Sequence, residues 1–201
     1  MVDARRLRPA WLPARFGGDH LLTGYRIFTR FATPGGRTMR GLKILRSDTA
    51  DRAMVLGGNL FSRYNHRPAR IGSRVVADTL EFKVLSADGH ADLRVRADLV
   101  GRPAPLPPDS PFADARDARR FAGPLPYTFE HGPRTGTVIV VKATRTRWDP
   151  VPVTVEVPRL TFFEHGPFAG STPVLANAFH VAAVDYGWES GRRRTGSGAE
   201  L

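Results

Sequence analysis

The sequence predicts a mainly β, α+β protein: an antiparallel sheet curled into a closed or partly closed barrel, with one or two short helices. Three observations predict it. About eight to ten apolar segments have strand length, alternating with polar residues or bounded by turn residues. Only one stretch carries a good helix start signal. No repeat at a fixed period is visible, which removes solenoids and propellers. A sheet of that many strands must hide its edges, and curling or closing does so. Such a barrel encloses room for one small ligand. At 201 residues and 22.1 kDa the chain can bury this core as a single domain, placed over residues 1–190.

Residues 1–20 read as an arm or short helix anchored by Trp11, Leu12 and Phe16. Tyr25, Ile27, Thr29 and Phe31 alternate with Arg26, Phe28 and Arg30, a strand pattern. Pro34-Gly35-Gly36 turns the chain into a second strand beginning near Thr38. The chain is organised around residues 40–71. Two apolar runs there, 42–45 and 53–60, read as buried strands separated by a polar turn at 47–52, and with the opening pair they make a meander. The second run ends in a polar cluster of Asn59, Arg63, Tyr64, Asn65, His66 and Arg67.

A hairpin follows: Leu80, Phe82 and Val84, an Asp88-Gly89 turn, then Leu93, Val95, Ala97 and Leu99, all alternating with charged residues. It should cover a core with one face and meet water with the other. Residues 101–111 form a proline-rich linker that cannot enter a sheet. Ser110-Pro111 then opens the helix, with serine as cap, Phe112 and Phe121 facing the core, and Gly123-Pro124 as its stop. Residues 137–143 are β-branched and apolar, a strand with at least one central end. Val151, Val153, Val155 and Val157 alternate with residues that include Pro152 and Pro158, placing that strand at an edge or near a bulge. A last strand runs over 176–184, and residues 191–201 read as a disordered basic tail.

The formal charge is +11 and the isoelectric point about 11.2. That balance favours anionic partners. The arginines are nevertheless scattered and often stand beside acids, so a solvated basic surface is favoured over nucleic-acid binding. No apolar stretch reaches the roughly 20 residues of a membrane helix, and no secretory signal is visible. Without cysteine, disulfides and thiolate chemistry are excluded, and a cytoplasmic protein is the default expectation.

The six histidines show no metal-binding spacing, and no metal or other cofactor is expected. Glu130-His131-Gly132-Pro133 and Glu164-His165-Gly166-Pro167 repeat four residues and read as loops; His90 reads as solvent-facing. No serine nucleophile motif is present. The glycines of Gly57-Gly58-Asn59 mark a bulge or a close approach of backbone to another group. Imine chemistry would need a lysine of lowered pKa. The three lysines are Lys43, Lys83 and Lys142, of which Lys43 and Lys142 lie on apolar strands.

Four segments carry a resemblance: R-G-L-K-I-L-R-S-D-T, M-V-L-G-G-N-L-F-S-R-Y-N-H, F-A-G-P-L-P-Y-T-F and F-F-E-H-G-P-F-A-G-S-T-P-V-L-A-N-A-F-H-V. From about Tyr25 to Arg193 the chain resembles a conserved bacterial family related to YqjF, in the acetoacetate decarboxylase-like superfamily. The resemblance implies a cone-like antiparallel barrel around a small-molecule cavity. True acetoacetate decarboxylases carry G-[FY]-P-K-K, whose first lysine forms the imine and whose second lowers its pKa. On that motif Asn65 and His66 stand where the lysines would be, and Asn59 where many relatives have glutamate. Asparagine cannot form an imine, so decarboxylation by that route would require Lys43 or Lys142.

The reading is a barrel that binds a small polar or anionic organic molecule, as a binder or as an enzyme acting on a small keto acid or carboxylate, without the lysine pair. His66, Asn65 and Lys142 are the catalytic candidates, with His66 as general acid/base. Asn59, Arg63, Tyr64 and Lys43 are the substrate-binding candidates, with Arg63 as carboxylate anchor. The alternative is a non-catalytic module that contacts nucleic acid or a protein partner through its basic surface. Homo-oligomerisation stays open.

Overall fold

The structure is a computed structural model that describes residues 2–7, 15, 18–61, 64–100, 104–122, 125–132, 137–145, 148–181, 186–189 and 191–195. In chain order the elements are β1 (Val2–Leu7), β2 (Gly18–Ala32), β3 (Thr38–Thr49), α1 (Arg52–Phe61), β4 (His66–Val76), β5 (Thr79–Ser86) and β6 (Leu93–Asp98). Then come α2 (Ala115–Ala122), β7 (Tyr127–Gly132), β8 (Thr137–Arg145), β9 (Pro150–Pro152) and β10 (Val155–Leu160). Two 3-10 turns, Thr161–Glu164 and Gly166–Phe168, lead to β11 (Phe179–Val181), β12 (Tyr186–Trp188) and β13 (Arg192–Thr195).

The chain forms two compact units that interleave in sequence. Unit 1 takes Met1–Pro68, Pro124–Arg147 and Asp185–Leu201; unit 2 takes Ala69–Gly123 and Trp148–Val184. In unit 1, β2 pairs antiparallel with β1 and with the full length of β3. The other edge of β3 is shared by two strands, both parallel to it: β7 at Leu42↔Thr128, and the start of β4 at Ser47↔His66 to Thr49↔Pro68. β8 follows β7 antiparallel and carries β12 and β13 on its far edge. The sheet is therefore mixed, mostly antiparallel with parallel pairings at β3, which corrects the antiparallel barrel in part and the opening meander. No strand pairing among the described residues closes it. Local alternation specifies strands but not the long-range partner, and parallel neighbours arrive from distant sequence.

The first core of unit 1 gathers Phe31, Phe129, Val138 and Val140, with Met39 and Tyr127 against them. Gly41 is required here, since a Cβ would stand 2.5 Å from the Phe129 ring. A second core joins Ile44, Tyr64 and Val141. Between Tyr25↔Arg46 and Arg26↔Ile44 the register shifts by one residue, so Leu45 is an extra residue on β3. Before this bulge Gly41 and Lys43 stand opposite Thr29 and Ile27; after it Arg46 and Asp48 stand opposite Tyr25 and Thr23, on that same face.

Unit 2 is built on β4, β5, β6 and β10 in that order, with a separate β9–β11 pair. The β5–β6 hairpin is as expected: Phe82 opposes Val95, Phe82 and Val84 are buried, Lys83, Arg94 and Arg96 are exposed, and Gly89 takes φ +71° in the turn. β10 is an edge strand with a register shift between Glu156 and Arg159, around Pro158, as that proline required.

Several expectations are corrected. Residues 53–60 are not a buried strand but the body of α1. Asp51 caps it, its Oδ1 accepting the Ala53 and Met54 N–H groups at 2.7 and 3.2 Å. Leu56 is 77% exposed, which no buried strand would allow. Residues 47–49, read as a turn, are the buried end of β3. The expected arm or helix at 1–20 contains strand β1 and the start of β2; Trp11, Leu12 and Phe16 lie outside the described residues. The cap of α2 is Asp114, whose Oδ1 accepts the Asp117 N–H at 2.7 Å, while Ser110 donates to the Ala176 carbonyl. Phe112 and Phe121 pack on each other, and Phe121 is exposed rather than core-facing. Residues 130–132 belong to β7 rather than a loop, whereas His90 is exposed as expected and stacks on the exposed His165 with ring centres 4.0 Å apart. The valine strand splits into β9 and β10, and within 176–184 only β11 is a described strand. Within the expected tail, residues 192–195 form β13 against β8. No helix among the described residues is long and apolar enough to cross a membrane.

The helical assignment of 52–61 separates two substitutions. Leu56→Lys should change stability by less than about 0.5 kcal/mol, while Phe82→Ala should cost about 3–5 kcal/mol, both by urea unfolding. A Leu56→Lys protein that fails to fold would restore the buried strand.

Candidate functional site

The expected cluster sits where β3, α1 and β4 meet. At its base the side chains of Arg46 and Asp48 are almost wholly buried. Arg46 Nε donates to Asp48 Oδ1 and Oδ2 at 2.9 and 3.0 Å, and Nη2 stands 2.8 Å from Oδ1. Residues two apart on a strand share a face, so the pair forms without loop or turn. Charges removed from water are tolerable only with such close, forked geometry.

Asn59 reaches from α1 to the first residue of β4. Its Nδ2 donates to the His66 carbonyl at 2.8 Å, and its Oδ1 accepts the His66 N–H at 2.6 Å. The side-chain amide thus does what a neighbouring strand would do. Asn65 takes φ +51°, in the left-handed region that asparagine tolerates better than most residues. Its Nδ2 donates to the carbonyl of Leu45, the bulge residue, at 2.7 Å, and its own carbonyl accepts the Ser47 N–H at 3.2 Å. Tyr64 shares a hydrogen bond with Thr128, 2.9 Å between oxygens.

His66 is the member of the cluster with capacity to spare. It is 6% exposed, and its Nδ1 is buried with no hydrogen-bond partner among the described residues. Burial pushes its pKa below the ordinary 6.5, so the imidazole is neutral at pH 7. Gly58 lets it lie against α1: a Cβ at 58 would stand 2.5 Å from His66 Cδ2. The close approach read from Gly57-Gly58 is therefore to a side chain of this protein.

The remaining candidates are dispersed. Arg63 lies outside the described residues. Lys43 is half-buried on β3, on the face of Arg46 and Asp48, and makes no ion pair among the described residues. Lys142 is exposed and bound to Glu189 at 2.8 Å. That hydrogen bond raises its pKa and lowers that of Glu189, the opposite of what imine formation needs. Sequence reasoning missed Arg46, Asp48 and Thr128. An Arg-x-Asp spacing inside a strand was the available signal, obscured by reading 47–52 as a turn. No group of three metal-ligating residues occurs among the described residues. Two surface hollows lie in unit 2: one of about 240 Å³ beside Arg116, Arg119 and Phe179, and one of about 450 Å³ over β4, β5 and β6.

No protein-family profile matches the chain, and no curated protein matches it. Among solved structures, acetoacetate decarboxylase from Legionella pneumophila subsp. pneumophila is similar at 13% identity, over 92% of this chain and 68% of that one, with a TM-score of 0.49. A likeness at that level carries no argument about this chain.

Two outcomes follow from the geometry. Asp48→Asn leaves Arg46 buried without its counter-charge and should cost about 3–5 kcal/mol by urea unfolding. The depressed pKa of His66 means the unfolded chain binds its proton more tightly. Stability should be fully present above about pH 6.5 and fall as the pH drops through the folded-state value. His66→Gln should flatten that part of a melting-temperature profile; an unchanged slope would remove His66 as its source.

Proposed function

We propose that unit 1 binds a small organic carboxylate or keto acid, and that the chain is an acetoacetate decarboxylase-like protein lacking the imine-forming lysine pair. The observation that carries this reading is the buried Nδ1 of His66, which has no hydrogen-bond partner among the described residues. A buried polar atom without a partner costs about 1–3 kcal/mol, so such atoms in folded proteins mark a bound water, a ligand or a chemical role. A neutral imidazole can accept a proton from, or donate a hydrogen bond to, a carboxyl or carbonyl group. Asn59 and Asn65 hold the backbone on which the imidazole is mounted, so their part is positioning. Tyr64 and Thr128 form a second hydroxyl pair in the same unit, with the Tyr64 ring centre 6.0 Å from that of His66. Lys43, which makes no ion pair among the described residues, is the cation that best suits the reading. Lys142, held by Glu189 in solvent, suits it least.

A carboxylate bound against a neutral histidine raises that histidine's proton affinity, so binding should take up a proton. In a thermal-shift screen of keto acids and simple carboxylates, the responsive ligand should raise the melting temperature more at pH 6 than at pH 8. At a hundredfold excess over Kd the stabilisation should reach about 2.7 kcal/mol. His66→Gln should abolish both the shift and its pH dependence. A ligand whose shift survives that substitution binds elsewhere, and the His66 reading then fails.

A further inference from the structure

The polar side of the four-stranded sheet in unit 2 carries two neighbouring rows of charge. Residues directly opposed on adjacent strands share a face, so the register defines each row. In the first, Glu156 on β10 faces Arg96 on β6, Arg96 faces Glu81 on β5, and Glu81 faces Arg74 on β4. The signs alternate across all four strands. Arg74 Nε donates to Glu81 Oε2 at 2.6 Å, and Arg96 Nε stands 3.6 Å from Oε1. The Arg74 hydrogen bond, with the surrounding guanidiniums, holds the Glu81 carboxyl below its usual range.

The second row breaks that pattern. Arg159 on β10 faces Arg94 on β6, Arg94 faces Lys83 on β5, and Lys83 faces Gly72 on β4. Three cations stand in succession, and the fourth position has no side chain. Asp92 Oδ2, 3.5 Å from Arg159 Nη2, answers the first of them. Lys83 and Arg94 form no ion pair among the described residues, and Arg94 feels Glu81 only as a remoter charge. Like charges directly opposed weaken a sheet. An anion laid over this row would remove that repulsion.

Gly72 supplies the room. Its φ is not positive, and a Cβ there would meet nothing within 4 Å, so neither backbone conformation nor crowding demands glycine. The missing side chain leaves a hollow of about 450 Å³ lined by Gly72, Lys83 and Arg94, with Arg74, Glu81 and Arg96 along one side. We propose that this hollow binds a small oligophosphate, the diphosphate group of an organic molecule, against Lys83 and Arg94, with Arg159 next in the row beyond the residues that line it. Strands stand about 4.8 Å apart, so Lys83 and Arg94 present two cations one strand spacing from each other, which two adjacent phosphoryl groups answer with more charge than a single carboxylate carries. The hollow has the size of a small-molecule site. The aromatic residue lining it, Phe82, is 1% exposed, so it offers no platform for the base stacking on which single-stranded nucleic-acid sites rely.

The test is calorimetric titration of the full chain with pyrophosphate at low and moderate salt, with citrate and a short DNA duplex as comparison ligands and melting curves on every variant. Pyrophosphate should bind, more weakly as salt rises. Lys83→Gln should weaken it about tenfold, the scale of one charge-assisted hydrogen bond. Gly72→Glu places a carboxylate in the empty position, so it should raise the melting temperature at low salt and eliminate pyrophosphate binding. Equal pyrophosphate affinity in wild type, Lys83→Gln and Gly72→Glu would overturn the proposal, as would no binding at low salt. Citrate binding as tightly as pyrophosphate would overturn the phosphoryl assignment. A duplex that outcompetes pyrophosphate and is lost in the same variants would make the row a nucleic-acid surface instead. None of these outcomes depends on His66, so the reading of unit 1 stands or falls separately.

Discussion

The extra residue at Leu45 is the constraint on which unit 1 depends. Without it β3 would keep one alternation throughout, and the face bearing Gly41 and Lys43 would carry Leu45 and Ser47 next instead of Arg46 and Asp48. The bulge brings a charged pair to the side where the chain is already packed, and it frees a carbonyl from the ladder. Asn65 then answers that carbonyl from a left-handed turn, and the turn in turn launches β4. Bulge, turn and buried pair form one arrangement, and the orientation of His66 is its product.

This arrangement changes what the polar cluster at 59–67 means. Its density of hydrogen-bonding side chains reads, in one dimension, as a ligand-binding surface. In space, Asn59 and Asn65 spend their amides on backbone, and Tyr64 spends its hydroxyl on Thr128. A buried strand start has backbone groups that need partners, and side-chain amides serve that need as readily as they serve a ligand. What distinguishes His66 from its neighbours is not polarity but an atom left over after these needs are met.

The legible parts of the sequence were those decided locally. The β5–β6 hairpin follows from alternation and an Asp-Gly turn, and the edge position of β10 from Pro158, which cannot donate. Helix α1 was misread because a short apolar run fits either state by periodicity. The deciding signals were the Asp51 cap and Met54 and Leu56, neither of them branched at Cβ, which are weaker than the unbroken apolar stretch from Ala53 to Gly58. The parallel partners of β3 were illegible for a different reason: pairing with β7 joins positions 42 and 128, and nothing near either names the other. Lys142 shows the same limit at a single residue. Alternation says that it lies opposite in phase to Val141, but not that Glu189 waits beside it.

The interleaving of the two units sets an order of assembly on a growing chain. Unit 2 is complete in sequence at Val184, while unit 1 still lacks β12 and β13. Yet unit 1 is the one begun first, with β1, β2 and β3. The early strands must therefore wait, with the β7 position on the edge of β3 unanswered, while Ala69–Gly123 of the other unit is synthesised. An open strand edge is a template for pairing with any other extended chain. The most vulnerable moment of this protein falls in that interval, and the start of β4, which follows α1 and pairs with Ser47 to Thr49, is the early piece that already covers the end of that edge.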